Sequence, residues 1–234
     1  MTLDPRGLLE GGLERLKIRN PTAVSSKLLE FGALLLLENQ QTNLTGAKDI
    51  VSLVAEHFLD SLAPLAFITL SSPVVDIGSG AGFPGIPVAI AFPDETIVLL
   101  EPRAKRAAFL ESAVSRLGLA NISVIKASAL GPGATSVLGK AGTVLMRAVA
   151  EPDRAIRLGS AFVRPGGDLV LYEGRLARPT PEHRKAAARM NGEIAVRRVF
   201  VPGLSSVRHA WIVHRSGDSA PAKPLRGRRT RQGR

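Results

Sequence analysis

Residues Val74–Gly85, VVDIGSGAGFPG, constrain the fold of this chain more than any other stretch. A short apolar run carries Asp76 and ends at Ile77. Four glycines, Gly78, Gly80, Gly82 and Gly85, follow within eight positions. A helical pattern comes next. A β-strand that passes through a glycine-rich turn into a helix sets bare backbone N–H groups and a helix N-terminus beside a ligand. Glycine suits the turn because a Cβ would hold the ligand away from the backbone. A nucleotide-like cofactor is the ligand this arrangement predicts.

Two cofactor classes compete for the loop. A dinucleotide fingerprint, G-x-G-x-x-G, needs its first glycine directly after the strand. Counted from Gly78, Phe83 falls where the third glycine belongs. Counted from Gly80, the pattern fits as Gly80, Gly82 and Gly85 but starts two residues late. The S-adenosylmethionine loop, acidic-x-G-x-G-x-G, fits without a misplaced residue as Asp76-Ile77-Gly78-Ser79-Gly80-Ala81-Gly82. That cofactor has an ammonium and no pyrophosphate, and Asp76 is expected to help hold it, directly or through water. Thr96–Leu100 reads as a second apolar strand, with Glu101 at its end about twenty residues past the glycines. An acid there accepts hydrogen bonds from ribose hydroxyls. Glu101 therefore supports an adenosine cofactor without choosing between NAD and S-adenosylmethionine.

From Val74 onward strand and helix patterns alternate. The strands expected are 74–77, 96–100, 122–127, 143–146, 168–172, 194–201 and 210–214, with helices over 84–91, 104–117, 152–162 and 181–191. Pro152 and Pro181 suit first helical turns, and Gly118 suits a helix end. Such alternation builds a mostly parallel sheet with helices on both faces. The last two strands have no helix between them and read as an antiparallel edge pair. Before the loop, an apolar helix spans about 24–40. A second starts after Asp49 as N-cap, with Ile50, Leu53, Val54, His57, Phe58 and Ser61 on one face. The expected fold is α/β: a Rossmann-like methyltransferase with a seven-stranded, mostly parallel sheet, an antiparallel final hairpin and an N-terminal helical subdomain. The division expected is 1–70 for the helical subdomain, 71–216 for the methyltransferase domain and 217–234 for a basic, disordered tail.

The chain has no cysteine, which excludes disulfides and thiolate chemistry. Its four histidines, His57, His183, His209 and His214, show no metal-ligand spacing. The longest apolar stretch, Phe31–Leu37, is too short to span a bilayer, and no signal-peptide layout opens the chain. A cytoplasmic monomer with no membrane partner is expected.

The net charge of +11 is unevenly placed. Residues 1–174 hold 16 Lys and Arg against 17 Asp and Glu, whereas residues 175–234 hold 15 against 3. A localised positive field attracts a phosphate backbone. Arg226, Arg228, Arg229 and Arg231 in the tail are candidate RNA contacts. Lys105 and Arg106, opening the helix after Glu101, are candidate phosphate contacts, with ordinary solvated helix charges as the alternative.

Several segments together resemble one family. They are Asn43-Leu44-Thr45-Gly46, His57-Phe58-Leu59-Asp60-Ser61-Leu62, the loop from Asp76 through Pro84-Gly85-Ile86-Pro87, Lys105-Arg106 with Phe109-Leu110, and Arg147-Ala148-Val149-Ala150. Over about residues 25–215 the chain resembles the RsmG/GidB family, class I S-adenosylmethionine-dependent methyltransferases of bacteria. The resemblance implies methylation of N7 of a guanine in 16S ribosomal RNA, guanine 527 in the conventional RNA count. The implied partner is that RNA or the small ribosomal subunit. It also implies cofactor contacts at Gly78, Phe83, the pair Ala129-Leu130 and Arg147. For Arg147 a structural ion pair is the alternative. Two positions depart from the family pattern. Ala129-Leu130 lacks the acid that many relatives place there, and Glu173 stands where relatives commonly have lysine. No general acid–base pair is evident, and none is needed, because N7 carries a lone pair and no proton. Outside the family reading, an NAD-dependent oxidoreductase and a non-catalytic RNA-binding module on the same fold remain the alternatives.

Overall fold

The computed structural model describes residues 4–131, 135, 140–174 and 178–217. Arg226, Arg228, Arg229 and Arg231 lie outside the described residues. One sheet contains β1 (Val74–Ile77), β2 (Ile97–Leu100), β3 (Ile122–Ile125), β4 (Ala141–Arg147), β5 (Val163–Gly174), β6 (Gly192–Val199) and β7 (Arg208–Arg215). The strand order is β3-β2-β1-β4-β5-β7-β6. The first five strands run parallel, and β7 pairs antiparallel with both β5 and β6. The antiparallel final pair is present, but β7 lies inside the sheet and β6 alone forms the edge. Composition explains the order. Ala210–Val213 of β7 is buried throughout, as an interior strand requires, whereas Glu193, Arg197 and Arg198 of β6 are exposed.

The N-terminal helices are α1 (Pro5–Arg15), α2 (Pro21–Thr42), α3 (Ile50–Leu53) and α4 (Asp60–Leu62). A π-helical turn over Val54–Leu59 joins α3 to α4, and a 3-10 turn follows over Ala63–Phe67. Asp49 caps α3 as expected, accepting from Ser52 N at 2.8 Å. The expectations did not include α1. Its start is nevertheless encoded, because Asp4 accepts from the Arg6 and Gly7 amides and Pro5 occupies the first turn. Its three glycines have low helix propensity and obscure the pattern. One of them is required by packing, since a Cβ on Gly12 would sit 2.5 Å from Leu59 Cδ1.

Apolar length was also underestimated. The helical run Ile50–Phe67, not Phe31–Leu37, is long and apolar enough by composition to cross a membrane. It is 61% buried inside the fold, as a core helix is.

Between strands lie α5 (Gly85–Ala91), α6 (Ala104–Arg116), α7 (Pro152–Ser160) and α8 (Pro181–Ala188). Alternation along β1 divides the interior into two layers. Val74 belongs to one core cluster with Leu9, Leu28, Phe31 and Phe58 of the N-terminal helices and Leu99 and Val170 of the sheet. Val75 and Ile77 pack on the opposite face with Ile156, Ala187 and Trp211. The N-terminal helices and one sheet face thus share a continuous core. This packing brings the π-helical turn up to the carboxyl ends of the strands.

Candidate functional site

The loop after β1 is held by the next strand. Gly78 N and Ser79 N both donate to Leu100 O, at 2.8 and 3.3 Å. Gly82 N and Phe83 N donate to Ser79 O, closing the turn. Gly78, Gly80 and Gly82 sit at φ +74°, +58° and +99°. The reasons for glycine differ along the loop. A Cβ on Gly82 would lie 2.7 Å from Ile86 Cδ1, and one on Gly85 would lie 2.2 Å from Leu99 Cδ2. Those two positions are closed by the core, so their small size serves packing and not ligand approach. At Gly80 the nearest atoms are Arg106 Nη1 at 3.7 Å and Gly78 O at 3.8 Å. Gly80 is the glycine of this turn whose missing side chain leaves room.

Glu101 closes the other side of that room. Its Oε2 accepts from Gly80 N at 2.9 Å and its Oε1 from Arg103 N at 2.8 Å. The residue is 3% exposed. Each carboxylate oxygen keeps a further lone-pair site, which suits two adjacent hydroxyls. Asp76 is fully buried, and its Oδ2 accepts from Gly85 N at 3.0 Å. Its Oδ1 has no hydrogen-bond partner among the described residues and is the oxygen left for an ammonium. Burial pushes the Asp76 carboxyl up to about 7. Phe83 is turned into the interior beside Phe31 and Phe58, and its ring stacks on His57 at 4.6 Å. His57 approaches Thr45 Oγ1 at 3.3 Å. Burial, helped by the charge of Arg147, lowers its imidazole to about 4, so the ring is neutral at physiological pH. It packs and carries no charge.

Arg147 ends β4 and reaches back to the N-terminal helices. Its Nη2 donates to Glu56 O at 2.8 Å within the π-helical turn and pairs with Asp60 Oδ2 at 3.2 Å. Asp60 also pairs with Arg208 Nε at 3.3 Å, at the start of β7. Burial raises the Asp60 carboxyl while both guanidiniums pull against that rise. The second terminal nitrogen of Arg147, Nη1, is buried without a hydrogen-bond partner among the described residues. Ala148 follows at φ +52°, a conformation costing a non-glycine residue on the order of 1 kcal/mol. Beyond it, Val149 covers the Gly78 backbone. The ion pair weighed for Arg147 is present; what sequence reasoning missed is that Asp60 is its partner and grips Arg208 as well. The one signal of that pairing was the shared presence of the Asp60 and Arg147 segments in the resemblance.

The other expected residues scatter around this centre. Arg106 approaches Gly80, while Lys105 is exposed on the first turn of α6. Leu130 is 65% exposed and Ala129 half-buried, so neither offers a polar side chain there.

Glu173 is half-buried, and burial with the nearby charge of Glu151 pushes it up to about 7 from 4.5. The folded state therefore holds this proton more tightly than the unfolded chain. Its contribution to stability is complete below about 4.5 and is lost as pH rises towards 7. Denaturant unfolding should show Glu173→Gln gaining stability relative to wild type between pH 5 and pH 8. A gap independent of pH would contradict the shifted carboxyl.

Comparison with known proteins bears on this geometry. The family model described as GidB, rRNA small subunit methyltransferase G, matches residues 24–209. The ribosomal RNA small subunit methyltransferase G of Nitrosospira multiformis is 34% identical over 221 residues, covering 92% of this chain and all of that one. Its counterpart in Coxiella burnetii is 32% identical over 203 residues, covering 86% and 94%. A variant of MtNAS solved in complex with S-adenosylmethionine matches with a TM-score of 0.54 at 16% identity. That match covers 89% of this chain and 84% of the other, and at such identity the likeness is one of fold.

Proposed function

Because the chain belongs to the GidB family, described as rRNA small subunit methyltransferase G, we propose that it methylates N7 of a guanine in 16S ribosomal RNA with S-adenosylmethionine as donor. One observation carries the cofactor assignment. Two buried atoms, Asp76 Oδ1 and Arg147 Nη1, have no hydrogen-bond partner among the described residues, and Glu101 stands across the loop with lone pairs to spare. An ammonium, a carboxylate and a ribose diol match these three groups in turn. Burial without a partner is costly for such atoms, and a zwitterionic ligand offsets that cost.

When bound, the cofactor supplies a methyl carbon on a cationic sulfur. Guanine N7 would take that methyl on its own lone pair, the sulfur keeping the pair of the broken carbon–sulfur bond. No proton moves, so the chain need supply no base. Its work is to hold donor and base in line and to exclude water. The neutral state of His57 accords with this.

RNA approach is supported by the start of α6. Lys105 and Arg106 lie at the positive end of that helix dipole, where a cation is repelled by about 0.3–1 kcal/mol. Arg103–Arg106 line a cavity of about 410 Å³ shared with Thr42–Leu44. A phosphate seated there turns the repulsion into attraction. In this reading Lys105 and Arg106 position the RNA backbone.

Purified protein with methyl-labelled S-adenosylmethionine should label 16S RNA or small subunits, and cleavage specific for 7-methylguanine should map one position. Label confined to small molecules, or absent from RNA, would overturn the reading.

A further inference from the structure

The β6–β7 turn lies outside everything assigned above. Strand directions place it. Because β6 runs parallel to the first five strands, its last residue, Val199, reaches the same sheet edge as the glycine loop. The turn lies four strand positions from β1, a lateral distance of roughly 19 Å at the usual inter-strand spacing. Where it leaves the strands, Phe200 is 65% exposed and Val207 38% exposed. Register pairs Arg198 with His209 and Val199 with Arg208, so Phe200 and Val207 follow as the first residues beyond the ladder.

Alternation sets Phe200 on the same face as Arg198, while Val199 and Val201 on the other face are buried. The base of the turn is firmly held. Arg208 pairs with Asp60 and donates to Ser206 Oγ at 2.8 Å. Gly203 abuts Leu8 and Ala55. A braced turn thus presents an aromatic ring to solvent beside a guanidinium group. The surrounding sequence is strongly basic, with eight Lys and Arg against two Glu over residues 178–217.

We infer that the β6–β7 turn is a binding surface for single-stranded RNA, with Phe200 as a base-stacking platform and Arg198, on the same face, as a phosphate contact. The inference rests on the proposed RNA substrate and extends it to nucleotides flanking the target base. An unstacked base offers a π-face to an aromatic ring whatever its identity, and an arginine beside the ring holds the backbone. Charge complementarity selects RNA as the occupant. Duplex RNA offers no exposed base faces to a lone ring.

The test is fluorescence anisotropy with a labelled, mixed-sequence single-stranded RNA oligonucleotide and a blunt RNA duplex. Phe200→Ala should weaken single-strand binding about five-fold or more while Phe200→Trp retains it, as expected for one lost base stack. Duplex affinity should not change. Arg198→Ala should lower the salt slope by about one, whereas Arg197→Ala, on the opposite face, should leave it nearly unchanged. Phe200→Ala is exposed enough to fold, which unchanged S-adenosylmethionine affinity would verify.

Unchanged single-strand affinity together with normal methyl transfer would overturn the turn's role and leave the methyltransferase reading intact. Phe200-dependent RNA binding without any methyl transfer would do the reverse. Loss of binding to assembled subunits but not to naked RNA would point to a protein partner and also overturn the inference.

Discussion

Gly80→Val is expected to weaken S-adenosylmethionine binding about a hundred-fold while the sheet stays folded. Two effects add. Gly80 sits at φ +58°, where a side chain costs on the order of 1–2 kcal/mol and a β-branched one is worst placed. The new side chain also enters the space between the loop and Arg106, the side on which Glu101 accepts from Gly80 N. A combined penalty near 3 kcal/mol corresponds to about a hundred-fold loss of affinity. Calorimetric titration with the cofactor measures it. The informative control is Gly82→Ala. Its Cβ would meet Ile86 and Phe31 in the core, so it should lower stability first. A folded Gly80→Val protein with wild-type affinity would show that the ligand lies elsewhere.

Asp60→Ala is the second large effect. Asp60 is 6% exposed and faces two guanidiniums whose side chains are only 20% and 24% exposed. Removing the carboxylate strands both cations in a poorly solvated place. Breaking such a pair from one side costs about 3–5 kcal/mol. Equilibrium unfolding in denaturant should show a loss of that order, and Asp60→Asn a smaller one, because the amide oxygen still accepts. The loss should also appear in cofactor affinity, since Arg147 keeps its place through Asp60 and Glu56 O. Stability within about 0.5 kcal/mol of wild type would mean that solvent, not Asp60, neutralises the arginines.

Much of the candidate site was legible in residue order. The Asp76–Gly85 loop and Glu101 are connected through adjacent strands, and adjacency in a βαβ unit follows from chain connectivity and handedness. The roles of individual residues were less legible. Gly80 and Gly82 look alike in sequence, yet one borders open space and the other Ile86 and Phe31. Phe83 matches a family cofactor contact, yet its ring is committed to Phe31, Phe58 and His57. The final hairpin was foreseen as a pair, but its order in the sheet was not. Which strand is interior depends on the neighbour it meets across β5, and local pattern does not name that neighbour.

Sequence by itself determined the parallel α/β sheet, the glycine turn, the acid that follows β2 and the family, because periodicity, turn chemistry and short motifs are local properties of the chain. Tertiary structure alone decided that Asp60 grips Arg147 and Arg208, that β7 lies inside β6, and that Phe200 stands exposed at the sheet edge that carries the glycine loop. These depend on which distant segments meet and how much water is expelled between them. Burial and charge compensation are properties of that meeting, and no single segment carries them.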